Sequence, residues 1–163
     1  MRIPIVNEQD EIIGYEERET RNPKHICRVT GLWVTDKDQN ILLAQRALVR
    51  KFNPGMWGPA VSGTVEEGET YKSNIIKEAR EEIGLVNFKL ILGPKNRVSS
   101  GHEYFGQWFT AIVDNDYLFV KQIEKVENIK WFAKSEIIKL LDENPAMFSK
   151  NFRSYLNLFS PDK

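Results

Sequence analysis

Residues 70–83 contain neither proline nor glycine, and Gly84 follows them directly. Proline and glycine are the residues that break helices, and glycine is the usual residue just past a helix end. The pattern therefore predicts a helix over 70–83, stopped at Gly84. At about 100° per residue, Ile75, Ile76, Ala79 and Ile83 fall on one side, which reads as the buried face. Glu78, Glu81 and Glu82 fall together on the neighbouring face, because positions three and four apart are side by side. Carboxylates so placed repel one another by about 0.3 kcal/mol per pair. A solvated acidic face, with Lys77 and Arg80 as partners, is one answer to that repulsion. A bound hard cation is the other, since Mg²⁺ favours carboxylate, water and phosphate oxygens. The helix alone does not choose between them.

The rest of the chain is that of an ordinary globular protein. Its 163 residues suit one domain, expected to span 1–163. Hydrophobic residues make up 41% and charged residues 28%, enough apolar surface for a packed core. Lys and Arg total 23, and so do Asp and Glu. There is no cationic excess to hold a nucleic acid, so no stable complex of that kind is expected. Cys27 is the sole cysteine, which excludes an intrachain disulfide and suits a reducing compartment. The N-terminus turns polar at Asn7-Glu8, and no apolar run is long enough to cross a membrane. A cytoplasmic protein with no membrane partner is the expectation.

Residues 3–6 and 12–15 flank a polar turn and predict an N-terminal β-hairpin. Residues 28–35, 41–46, 86–92, 104–113 and 129–132 read as strands, and 57–62 as a short extended piece. Ser135 is placed as the cap of a helix through Leu141, ended by Asn144-Pro145, with a last amphipathic helix at 151–159. Strands come first and helices fall among the later strands, which suggests an α/β protein layered around a mixed sheet.

Spacing chooses between the two readings of the helix. Gly63 is followed after five residues by Glu69, and seven more residues separate Glu69 from Lys77-Glu78-Ala79-Arg80-Glu81-Glu82-Ile83-Gly84-Leu85. This resembles the Nudix box, G-x5-E-x7-R-E-U-x-E-E-x-G-U, with U aliphatic. Both glycines and all four glutamates match, Ala79 and Leu85 fill the U positions, and Lys77 stands where the family has Arg. Lys keeps the charge and loses the planar fork that grips carboxylates.

The resemblance implies an α/β/α sandwich around a mixed β-sheet. It also implies Mg²⁺ as cofactor, with Mn²⁺ as a substitute, and hydrolysis of a nucleoside diphosphate linked to another group. By the same resemblance, Glu78, Glu81 and Glu82 hold the metal and Gly63 offers a backbone carbonyl beside it. Glu69 then braces the box or serves as an auxiliary metal ligand, Lys77 helps to hold the glutamates, and Gly84 ends the helix. The general base is expected at Glu81 or Glu82, or in a later loop. There Glu103 is the first choice, because it opens a strand next to Gly101-His102, with Glu124 and Glu127 behind it.

The first half of the chain is also similar to the Nudix proteins related to isopentenyl-diphosphate isomerase. Ile5-Val6-Asn7-Glu8, Glu11-Ile12-Ile13-Gly14, His25, Leu43-Ala44-Gln45-Arg46 and Lys51-Phe52-Asn53-Pro54-Gly55-Met56-Trp57 carry that likeness. The isomerase has Cys-Gly-His where this chain has Ser62-Gly63-Thr64, so its thiol and a metal-binding imidazole are missing. Isomerisation is therefore the lesser alternative to hydrolysis, together with a non-catalytic nucleotide-binding domain. Arg46 and Lys51, just before the box, are the first choices for phosphate, ahead of Arg28, Arg50 and Arg97. Trp57, Tyr104, Phe105 and Trp108 could stack a base, although aromatic residues at strand spacing usually belong to a core. The expected partner is a small phosphorylated substrate, a nucleotide, and a homodimer is compatible with the sequence.

Overall fold

The computed structural model describes residues 1–159; residues 160–163 of the expected span lie outside the described residues. Helix α1 (Tyr71–Ile83) forms where the breaker-free segment places it. The Thr70 hydroxyl accepts from the Ser73 N–H, and Ser73 Oγ accepts from the Thr70 N–H, so two otherwise orphaned amides are satisfied. Gly84 closes the helix at φ 66°, a left-handed conformation that costs glycine nothing.

The buried face of α1 is rotated from the expected one. Ile75, Ala79 and Ile83 are fully buried, but Ile76 is 40% exposed, and Asn74 and Glu78 take the inward side instead. Polar complementarity is the reason. Asn74 Nδ2 donates to the Thr64 carbonyl and to Glu69 Oε1, both at 3.0 Å, and its Oδ1 accepts from Thr30 Oγ1. A buried amide with its partners in place costs little.

Strands β1 (Arg2–Val6) and β2 (Ile12–Glu17) make the expected hairpin as a separate antiparallel pair. Seven further strands form one mixed sheet: β3 (Cys27–Thr35), β4 (Ile41–Arg46), β5 (Trp57–Pro59), β6 (Val61–Thr64), β7 (Ile91–Ser99), β8 (Glu103–Ile112) and β9 (Val126–Phe132). β3 and β8 run parallel, and the other pairings are antiparallel. Side chains alternate between the two faces. Leu32, Val34, Leu42, Val61 and Phe109 pack on α1. Trp33, Ile41, Leu43, Trp108 and Phe132 pack on α2 (Lys134–Glu143) and α3 (Phe152–Phe159). Helix layers thus cover both faces, giving the α/β/α sandwich.

The pairing pattern opens the sheet. β3 meets β4 only at Val34–Leu42 and Thr35–Ile41. Beyond those pairs the strands part. β3 takes β6 as partner over residues 29–32, and β4 takes β5 over residues 43–45. The single extended piece expected at 57–62 is therefore two strands, one on each arm of a fork.

Several boundaries differ from expectation: β9, expected at 129–132, starts at Val126, where Val126 pairs with Arg46, and two further differences have a clear cause. The strand expected at 86–92 runs from Ile91 to Ser99. Gly84 and Asn87 both adopt positive φ and break any extended run, and Phe88 and Leu90 fold onto the α1 core. Extended pairing begins only where Ile91 meets Thr110. Ser135 does not cap α2. β9 holds the chain extended only to Phe132, so the helix starts earlier, with Ala133 as a cap that makes no side-chain hydrogen bond.

Asp10 ties the hairpin to the sheet. It sits at φ 60°, which Asp tolerates better than most residues. Its carboxylate meets Arg28 Nε at 2.7 Å, the Tyr71 hydroxyl at 2.9 Å, and Lys95 Nζ. Burial by itself raises this carboxyl, but Lys95, Arg28 and Tyr71 outweigh it and hold the group below its ordinary 3.8. A carboxyl lowered by folding adds stability above its unfolded pKa and loses it as pH falls through the folded value. Asp10→Asn keeps the backbone conformation and removes the charge. Urea denaturation at neutral pH is expected to show a loss of about 2 kcal/mol, with the gap to wild type closing below about pH 4. Equal stability at neutral pH would show that the three contacts contribute nothing.

Candidate active site

A cavity of about 380 Å³ lies in the fork of the sheet, between the α1 side and the α3 side. Its volume is in the range of small-molecule sites. Glu78 and Glu82, one turn apart on α1, point into it with side chains 8% and 12% exposed. Glu81 also lines it but is solvent-exposed. Two carboxylates this close resist being ionised together. Burial first, then the charge of Glu78, push the Glu82 carboxyl up to about 8. Lys125 offsets part of this, with Nζ 3.5 Å from Glu78 Oε2 and 3.6 Å from Glu82 Oε2.

Gly63 lets the β6 backbone approach the carboxylates. A Cβ there would sit 2.6 Å from Glu78 Cγ and 3.0 Å from Asn74 Oδ1. Glu69 does not line the cavity and acts from behind it. It accepts from the Glu66 N–H at 2.7 Å and meets Lys77 Nζ at 2.7 Å. Lys77 also pairs with Glu66 and reaches Glu78 Oε1 at 3.7 Å. Burial alone would lower the Lys77 ammonium, but Glu66 and Glu69 outweigh it and hold the group well above its ordinary value. A point charge among three carboxylates thus braces the box without a planar fork. Lys77→Met is expected to cost about 1–2 kcal/mol in thermal or urea unfolding and to lower turnover. Lys77→Arg should keep turnover; a clear loss would mean that the space among these carboxylates is cut to Lys.

The metal question turns on donor chemistry. Among the described residues, no three His, Cys, Asp or Glu side chains gather closely enough to hold a metal ion on protein ligands alone. Mg²⁺ does not need such a cage, because it is commonly held by one or two carboxylates, with waters and substrate phosphate completing its shell. Glu78 and Glu82 form such a pair of hard oxygen donors. The residues present fit Mg²⁺.

Arg46 and Arg50 form part of the β4 side of the cavity. Arg46 Nε donates to the Phe52 carbonyl at 2.7 Å. Burial, then the charge of Arg50, lower the Arg46 guanidinium, and the charge of Glu82 offsets part of this. Lys51 and Glu103 are not brought to the cavity wall. Lys51 is exposed beside the Phe52 ring. Glu103 accepts from Arg97 and Ser99, each at 2.8 Å, where the β7–β8 turn carries it away from the box. Arg97 and then Ser99 hold its carboxyl below the ordinary range, which makes it a poorer proton acceptor.

Lys125 had no signal in the sequence. It ends the loop between β8 and β9, 47 residues after Glu78. That loop is docked on the end of α1, where Val120 N–H donates to the Ile83 carbonyl at 3.0 Å and Gln122 N–H to the Glu82 carbonyl at 2.9 Å. Cys27 is buried with Ile3 and Ile5 beneath the hairpin and does not line the cavity, whereas Ser62 and Thr64 do.

Comparison with known proteins gives the family and the fold. The NUDIX domain family model matches residues 25–152. An uncharacterised Nudix hydrolase of Yersinia pestis is 26% identical over 150 residues, 86% of this chain and 78% of that protein. The isopentenyl-diphosphate Delta-isomerase of Corynebacterium diphtheriae is 27% identical over 144 residues, 82% of this chain and 77% of that protein. Among solved structures, DR0079 from Deinococcus radiodurans superposes with a TM-score of 0.83 at 17% identity, covering 98% of this chain and 99% of that one. The chain belongs to the Nudix family and has its fold.

Proposed function

We propose that this chain hydrolyses a pyrophosphate bond in a nucleoside di- or triphosphate, or in a nucleoside diphosphate joined to another group, with Mg²⁺ as cofactor. The observation that carries this reading is the pairing of Glu78 and Glu82 with Lys125 in a cavity that also presents Arg46 and Arg50. Glu78 and Glu82 would hold the cation, with Glu81 beside them. When bound, Mg²⁺ acidifies a water and neutralises charge on phosphoryl oxygens. Arg46 and Arg50 bind and orient the phosphates. Lys125, already turned to the carboxylates, adds positive charge where negative charge builds up. Glu82 or Glu81 accepts the proton from the attacking water.

An isomerase reading has less support. Ser62 and Thr64 stand at the wall where the isomerase has its thiol and imidazole, and burial pushes the Cys27 thiol up and away from reactivity. Among the described residues, no helix is long and apolar enough to cross a membrane.

The test is a screen of nucleotides, nucleotide sugars, dinucleotide polyphosphates and isopentenyl diphosphate with Mg²⁺, scoring phosphate products and isomerised diphosphate. Hydrolysis of at least one nucleotide compound is expected. EDTA should abolish it and Mg²⁺ or Mn²⁺ restore it. Isomerised product without hydrolysis would overturn the proposal.

A further inference from the structure

Residues 113–125, between β8 and β9, form neither helix nor strand. Ordered loops longer than about 12 residues without structure of their own are uncommon and usually serve a site. Burial of apolar side chains does not explain the course of this one, because Leu118, Val120 and Ile123 are all exposed. Hydrogen bonds to a single place do. An α-helix leaves its last carbonyls without partners inside the helix. Here the loop takes three consecutive carbonyls at the end of α1. The Gln122 N–H donates to Glu82 at 2.9 Å, the Val120 N–H to Ile83 at 3.0 Å, and the Tyr117 hydroxyl to Gly84 at 2.8 Å. The Tyr117 hydroxyl also accepts from the Val86 N–H at 3.2 Å, so it satisfies a carbonyl and an amide just past the helix. Its ring packs on the α1 core and against Phe119, with 4.9 Å between centroids. Gly84 leaves room for the loop, since a Cβ there would come within 3.1 Å of the Val120 backbone nitrogen.

The far end of the loop is tied elsewhere. The Lys125 carbonyl accepts from the Ala47 N–H at 3.0 Å, and β9 pairs with β4 from Val126 onward. Between the two ties, the Gln122 carbonyl accepts from the Lys125 N–H at 3.0 Å and the Val126 N–H at 2.8 Å. By its backbone, Lys125 thus belongs to the β4 arm of the fork, whereas the carboxylates it faces belong to α1. Its Nζ lies 3.5 Å from Glu78 Oε2 and 3.6 Å from Glu82 Oε2. Ordering a lysine side chain costs rotamer entropy, so a small drift between the two backbones would let the ammonium return to water. The loop's hold on the end of α1 is what opposes that drift.

We infer that Tyr117 is a positioning residue: its hydroxyl clamps the loop to the end of α1 and so keeps the Lys125 ammonium on Glu78 and Glu82. The inference rests on the proposal that Lys125 assists hydrolysis at this site. In that proposal Lys125 adds charge where negative charge builds up, whereas Arg46 and Arg50 already meet the phosphates of the bound substrate. Loosening the clamp therefore acts on kcat and spares KM.

Tyr117→Phe keeps the ring and removes the hydroxyl. In the metal-free full chain, amide hydrogen exchange at Val120 and Gln122 should quicken about tenfold, with the amides of β3 unchanged. On the nucleotide compound hydrolysed fastest with Mg²⁺, kcat should fall about threefold to tenfold at unchanged KM. Lys125→Met should lower kcat further. Adding Tyr117→Phe to Lys125→Met should then change kcat by less than about twofold, because the hydroxyl acts through the ammonium. A tyrosine with a merely structural role would cost the same factor in both backgrounds, and that result would overturn the inference. So would exchange or turnover at wild-type speed in folded Tyr117→Phe. Leu118→Ala, exposed in the same loop, should match wild type, and a loss there equal to that of Tyr117→Phe would also overturn it. The two proposals fail separately. Faster exchange in a chain that hydrolyses no compound would sink the catalytic proposal and leave the clamp standing. Mg²⁺-dependent hydrolysis with equal losses in both backgrounds would sink the clamp alone.

Discussion

Glu82→Gln is expected to lower turnover on the order of a thousandfold, about 4 kcal/mol of transition-state stabilisation, in a protein that still folds. The substitution keeps the shape of the side chain. It removes one of the two inward carboxylates and the group whose proton affinity is raised. Near-normal turnover would take Glu82 out of the site. A second readout separates charge from shape. The Glu82 carboxyl is raised by burial and by Glu78, so the folded metal-free protein holds this proton more tightly than the unfolded chain does. A group raised in this way stabilises the fold below its ordinary 4.5, and the contribution is lost as pH rises through about 8. In EDTA, therefore, Glu82→Gln should melt at a higher temperature than wild type above about pH 8 and at nearly the same temperature in acid. Added Mg²⁺ should raise the melting temperature of wild type more than that of the variant. A variant that melts lower at high pH would show that Lys125 alone compensates the paired carboxylates.

Gly63→Ala should cost both activity and stability. The new methyl would enter at 2.6 Å from Glu78 Cγ and 3.0 Å from Asn74 Oδ1, and both neighbours are buried. Neither can swing into solvent, so the β6 backbone or Glu78 itself must move. Overpacking of this kind costs about 1–3 kcal/mol. A displacement of about 1 Å in a catalytic group costs about a hundredfold in rate. Melting temperature and turnover should therefore fall together, and they should not be rescued by more Mg²⁺. If turnover survives, Glu78 does not have to stand where the glycine holds it.

Much of this site could be read from local residue order. The absence of breakers between Thr70 and Ile83 and the Gly84 stop are properties of neighbouring residues, and α1 follows from them, with Thr70 as its cap and not its first helical residue. The spacing from Gly63 through Glu69 to Glu82 carried the family resemblance, and the hairpin at the N-terminus followed from its polar turn. Where local order misled, a side-chain partner that hydropathy and position do not record was the cause. Ile76 has the hydropathy of a core residue, yet Asn74 is inside because Thr30 and Thr64 meet its amide there. Glu103 has the position of a loop carboxylate near a strand start, yet Arg97 holds it at the hairpin turn.

The amino-acid order by itself determined the helix, its three glutamates and the glycines on either side, because capping, periodicity and chain stiffness act over a few residues. Tertiary structure alone decided what those glutamates face. The fork exists because β3 and β4 exchange each other for β6 and β5 after two pairs. Lys125 reaches Glu78 and Glu82 only because its loop hydrogen-bonds to the end of α1. Such meetings depend on strand pairing and packing between segments far apart in the chain, and no spacing along the sequence records them.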